Sequence, residues 1–105
     1  MSIQIRTTNP QDLLDAIYLA IDEGHIDTWT YDEEGDFSHE TASEQWVGEA
    51  WLHPVVGLAL LSLEIIPPQD GLSKEAYAVY HGRFIEMLLA HFDEDFSLVT
   101  ATAKD

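Results

Sequence analysis

The sequence has no cysteine, and its 105 residues include only four Lys and Arg: Arg6, Lys74, Arg83 and Lys104. The first absence excludes a disulfide framework, a thiolate nucleophile and any cysteine-ligated zinc site. The second removes the main source of nucleic-acid affinity, which is the neutralisation of phosphate by Lys and Arg. The same scarcity argues against attachment to anionic lipid. The most apolar stretch, residues 55–66, falls well short of the roughly 20 residues needed to span a membrane. Met1-Ser2-Ile3-Gln4-Ile5-Arg6 lacks the basic region and following apolar run of a secretory signal. Together these absences make the cytoplasm the expected location, with no nucleic-acid or membrane partner. There is also no G-x-S-x-G elbow, glycine-rich phosphate loop or His-Glu-x-x-His motif. No catalytic residue, cofactor or metal site is therefore expected, and the reading favours a protein that is not an enzyme.

What is abundant is acid. Twenty Asp and Glu against four Lys and Arg give a formal net charge of −16 and a pI near 4.2. Between residues 7 and 73 there are many carboxylates and no Lys or Arg. Hydrophobic residues nonetheless make up 46% of the chain, enough apolar side chain to offset the ordering entropy that keeps highly charged, weakly hydrophobic chains unfolded. The length suits one domain over 1–105, with no internal repeat or linker.

Hydrophobic periodicity sets the elements. Ile3 and Ile5 alternate with polar neighbours as a strand over 2–7. Asn9 and Pro10 read as an N-cap and first helical residue. Leu13, Leu14, Ile17, Ala20 and Ile21 then recur at helical spacing, Asp12, Asp15, Asp22 and Glu23 lie opposite, and Gly24 is the stop. Residues 26–31 and 37–41 form a hairpin across Asp32-Glu33-Glu34-Gly35-Asp36. Residues 44–53 are a further extended segment, broken at Pro54 because proline cannot donate to a ladder. The near-continuous apolar run at 58–66 suits a central strand covered on both faces, with a buried helix as the alternative. Ser73 caps a second helix over 74–92, and residues from Phe96 onward alternate as a closing strand. The expected fold is α+β: a mixed, largely antiparallel sheet of about five or six strands with two helices packed on one face, in the order β-α-β-β-β-β-α-β.

Three constellations could carry function. Trp29, Tyr31 and Phe37 bracket Asp32, Glu33, Glu34 and Asp36 in the hairpin, so an exposed aromatic patch rimmed by carboxylates would suit a protein partner. In the same loop, Asp32, Glu34, Gly35 and Phe37 match the third, fifth, sixth and eighth positions of an EF-hand. Thr30 and Thr41, however, stand at the first and last ligand positions, which favours a solvated turn. On the second helix, Tyr77, Tyr80, Phe84, Leu88 and Phe92 form an apolar stripe that includes His81 and His91. These histidines read first as hydrogen-bonded core, and otherwise as the wall of a ligand cleft with Tyr77. The opposite side of that helix, with Ala78, Val79, Gly82, Glu86 and Ala90, is small enough for close packing, either by the first helix or by a second copy in a homodimer.

The charge balance points to a small acidic interaction module that binds a basic protein surface, in the manner of an inhibitor, immunity or regulatory protein. The alternatives are a domain whose acidity adapts it to salt or keeps it soluble, and a small ligand-binding domain or enzyme with a cleft near His81 and His91.

Overall fold

The computed structural model describes residues 2–39, 50–67 and 71–103. Its elements run β1 (Ser2–Arg6), α1 (Pro10–Asp22), β2 (Trp29–Tyr31), β3 (Phe37–His39), β4 (Trp51–Val56), β5 (Leu60–Ile66), α2 (Lys74–Phe92) and β6 (Leu98–Ala101). The six strands form one sheet in the order β2-β3-β4-β5-β1-β6. Every pairing is antiparallel, so the sheet is not mixed.

The register decides which side chains share a face. Ile3 lies opposite Leu63, Ile5 opposite Leu61 and Leu52 opposite Ile65, and all six are buried. Leu13, Leu14 and Ile17 of α1 and Tyr80, Phe84 and Leu88 of α2 complete the same core, so both helices cover one face. Along β5, Leu61, Leu63 and Ile65 are buried whereas Glu64 and Ile66 are exposed. The expectation of a strand covered on both faces is thus corrected: one face of β5 is core and the other is open. The helical alternative for this run is not realised.

Local chemistry explains the ends of the elements. Ser73 Oγ accepts the Ala76 N–H at 3.0 Å and starts α2. Asn9 holds the N-cap position of α1 without a side-chain bond, and Pro10 supplies the preset first residue. Gly24, at φ +78°, ends α1 as expected, its N–H bonding the Ile21 carbonyl at 3.1 Å. Strand β4 continues through Pro54, contrary to the expected break. Its pairing with β3 is at Phe37 and Leu52, and β3 begins at Phe37, so Pro54 lies past the β3 ladder, where a missing donor is tolerated. Of the earlier extended segment, residues 44–49 lie outside the described residues, as do Glu40 and Thr41 at the end of the β3 candidate.

Candidate functional site

Two regions of the surface are built around the β2–β3 hairpin. At its tip the five residues 32–36 connect the strands, with the Asp32 N–H bonding the Asp36 carbonyl at 3.0 Å around Glu33, Glu34 and Gly35, the last at φ +82°. Asp32 Oδ1 accepts the backbone N–H groups of Glu34 and Asp36, both at 3.0 Å. The Tyr18 hydroxyl of α1 donates to the Gly35 carbonyl at 2.7 Å, and its ring stacks on Phe37 at 5.0 Å and tilts against Tyr31 at 4.6 Å. The Tyr31 hydroxyl donates to Asp22 at 2.6 Å. The tip is therefore docked on α1, and it gathers Asp15 and Asp22 of the helix with the loop carboxylates into one acidic face.

The Tyr18 hydroxyl registers this field. Burial, followed by the negative charges of Asp36, Asp15 and Asp32 and by neighbouring Tyr31, pushes its pKa up to about 12. The hydrogen bond to Asp22, with a smaller contribution from burial, raises Tyr31 as well.

Asp32, Glu34 and Asp36 each bring a carboxylate oxygen within 4.8 Å of the others. Backbone and side-chain partners already engage two of the three. Asp32 Oδ1 clamps the turn, while the β3–β4 register sets Asp36 beside His53, whose Nδ1 lies 2.6 Å from Asp36 Oδ1. Asp36 is buried and His53 is half-exposed.

The structure distributes the expected partner-binding residues unevenly. Asp32, Glu33 and Glu34 are exposed and Tyr31 is half-buried. Trp29 and Phe37 are core side chains, at 2% and 0% exposure, and offer no aromatic surface. Trp29 packs edge-on against Tyr80 and Phe84, with ring centroids 5.6 and 5.1 Å apart. Trp51 is half-buried on the open face of the sheet, where Ile66 lies opposite it and Val55 and Leu98 are also exposed. Trp46 lies outside the described residues.

At the base of the hairpin, residues 25–29, His39 and the C-terminal half of α2 enclose a cleft of about 380 Å³. Arg83, Glu86, Ala90 and His91 line its helix side, and His25, Asp27 and Trp29 its loop side. Arg83 and Glu86 form a single long contact of 3.4 Å between exposed side chains. His39 is almost fully buried, its ring edge-on to Trp29 at 5.0 Å, and its Nδ1 has no hydrogen-bond partner. Burial first, and then the positive charge of Arg83, lower its pKa, with Glu86 partly opposing them.

His81, Tyr77 and His91 do not form the expected cleft together. His81 is buried in the core, with Nδ1 2.7 Å from the Tyr77 carbonyl, as a hydrogen-bonded core histidine should be. Burial lowers its pKa, partly offset by that bond. The Tyr77 hydroxyl donates to the Thr102 carbonyl at 3.2 Å. His91 is exposed rather than part of the apolar stripe, and it is the one member of the trio that lines the cleft. On the small-residue side of α2, packing by α1 is not found: Ala78, Gly82, Glu86 and Ala90 are exposed, Val79 is half-buried, and a Cβ added at Gly82 would meet nothing within 4 Å. Helix α1 does not fill that space.

No protein-family model, curated protein sequence or solved structure matches this chain. Among the described residues no helix is long and apolar enough to cross a membrane.

Proposed function

We propose that the protein is a small acidic interaction module that docks on a basic protein surface, using the face formed by the hairpin tip and α1. One observation carries this reading. Of the fifteen described carboxylates, fourteen are exposed, and only Glu86 is ion-paired with a Lys or Arg among the described residues. Exposed charges of one sign sum to a field that steers an oppositely charged partner and suppresses like-charged ones. The hairpin tip suits docking because its backbone is fixed by the Asp32 clamp and the Tyr18 hydroxyl, so presenting Asp32, Glu33 and Glu34 costs little further ordering. Tyr31 would supply the half-exposed aromatic contact. Nucleic acid and anionic lipid are disfavoured by the same field.

The test begins with capture of basic partners from native cytosol at low salt and their release by a salt wash. The released partner is then titrated with wild type and with two triple charge reversals. Asp32→Lys/Glu33→Lys/Glu34→Lys at the tip should weaken binding by roughly 100-fold, following the few-kcal/mol scale of close interfacial charge pairs. Glu75→Lys/Asp93→Lys/Glu94→Lys near the ends of α2 should weaken it far less. Equal losses for the two triples, or affinity indifferent to ionic strength, would sink the reading. Unfolding of the free protein at low salt would instead assign the acidity to salt adaptation.

A further inference from the structure

The cleft at the hairpin base departs from the carboxylate-dominated pattern of the rest of the surface by gathering Arg83 with three histidines. The sequence has nine Lys, Arg and His side chains, and four of them, His25, His39, Arg83 and His91, line this one cleft; of the fifteen described carboxylates, Asp27 and Glu86 do so. The Arg83 guanidinium carries five N–H donors in a fork that matches a carboxylate. Its single 3.4 Å contact with Glu86 uses little of that capacity. His39 Nδ1 is buried without a partner, and no described protein group bonds the other ring nitrogen. Buried polar atoms nearly always find partners. Nδ1 itself has almost no accessible surface, so a molecule in the cleft meets His39 through the rest of its ring.

The floor adds an apolar component. Ile26, Trp29 and Met87 are buried beneath the polar rim, an arrangement in which apolar walls bind the body of a ligand and a few polar groups orient it. A volume near 380 Å³ is toward the lower end of the roughly 300–1,000 Å³ usual for ligand sites, which suits a single-ring molecule rather than a nucleotide. A divalent cation fits poorly, because Arg83 repels it. In addition, the one convergent set of metal-ligating groups among the described residues is Asp32, Glu34 and Asp36, away from this cleft. A dianion fits poorly too, since Asp27 and Glu86 stand on the rim of a chain with a net charge of −16.

We propose that this cleft binds a small organic monoanion, a carboxylate on an apolar ring, with the carboxylate on Arg83 and His39 and the ring over Ile26, Trp29 and Met87. The site is separate from the acidic docking face and does not depend on it.

The experiment is an NMR titration of the ¹⁵N-labelled protein with benzoate, and in parallel with benzamide, which keeps the ring and loses the charge. Benzoate should shift the Arg83 side-chain and His39 ring resonances saturably and bind at least about tenfold more tightly than benzamide, the scale expected of a charge-assisted hydrogen bond. Arg83→Gln, at an exposed position that folding tolerates, should abolish that preference, whereas Glu64→Gln on the open face of the sheet should retain it. The proposal is overturned if benzoate and benzamide bind alike, if the preference survives Arg83→Gln, or if no cleft resonance shifts saturably up to about 20 mM, beyond the millimolar range of weak specific binding.

Discussion

Trp29 and Tyr31 are two residues apart on one short strand, yet the groups beside them meet neighbouring charges of opposite sign. Around Tyr31, at the hairpin tip, Tyr18 is held protonated well beyond its ordinary range by burial and then by the carboxylates around it. Around Trp29, at the base, the pKa of His39 is lowered, and after burial the cause is a guanidinium rather than a carboxylate. Burial leads in both places. The second cause changes sign across a single hairpin, which teaches that a large net charge describes the average of a surface and not each of its parts.

The most severe way to break the comparison is Trp29→Ala. Trp29 packs against His39, Tyr80 and Phe84, and so supports the core and the cleft floor together. Its loss should cost about 3–5 kcal/mol in urea unfolding. Gly35→Ala should cost less, about 1–2 kcal/mol for forcing an L-residue into the left-handed region, and should act on the tip alone. An added Cβ would also sit 2.6 Å from the Tyr18 hydroxyl, which is held by its bond to the Gly35 carbonyl and by the stacked rings. The His39 ring resonances should stay where they are in this variant; movement there would show that the two surfaces are coupled.

The mildest test is titration. Tyr18 carries a folded-state pKa above its unfolded value of 10, so its contribution to stability is complete below pH 10 and is lost as pH rises through about 12. Absorbance at 295 nm should show an ionisation near the upper end of that window in the wild type that is lost in Tyr18→Phe. His39 and His81 have the opposite linkage. Their folded pKa values lie below the ordinary histidine value of about 6.5, so the unfolded chain binds more protons, and their stabilising contribution, complete above that value, declines as pH falls below it. Thermal unfolding at stepped pH below 6.5 should show a smaller acid loss in His81→Gln than in wild type.

How legible each feature was depends on the range of the interaction that creates it. The ends of α2 could be read because Ser73 acts on Ala76, three residues away, and the stop of α1 because Gly24 acts within one turn. The course of β4 through Pro54 could not, since it depends on where β3 happens to start, and strand neighbours are set by tertiary pairing. The apolar run of β5 suggested cover on both faces. Ser62 and Glu64 alternate within it, and they were the local sign that one face is open. Trp29 and Phe37 were candidates for exposure because a sheet has two faces, and only the register, with Trp29 opposite His39 and Tyr31 opposite Phe37, puts them under the helices. The cleft was the least readable feature. His25, His39, Arg83 and His91 come from three separate segments with no motif spacing, and of these only His91 had been considered for a cleft.

Strand order has one further consequence, for how the chain is made. Strand β1 is synthesised before the other five strands, yet both of its sheet neighbours, β5 and β6, lie far along the sequence, and Ser2 is tied to Thr102 through the Thr102 N–H at 2.8 Å. During translation Ile3 and Ile5 therefore wait, apolar and without a ladder, until β5 has been synthesised. Contacts so distant along the chain put folding toward the slow, milliseconds-to-seconds end for small domains. An apolar strand left without its ladder is a template for pairing with other chains, and like charges on two such chains oppose their approach.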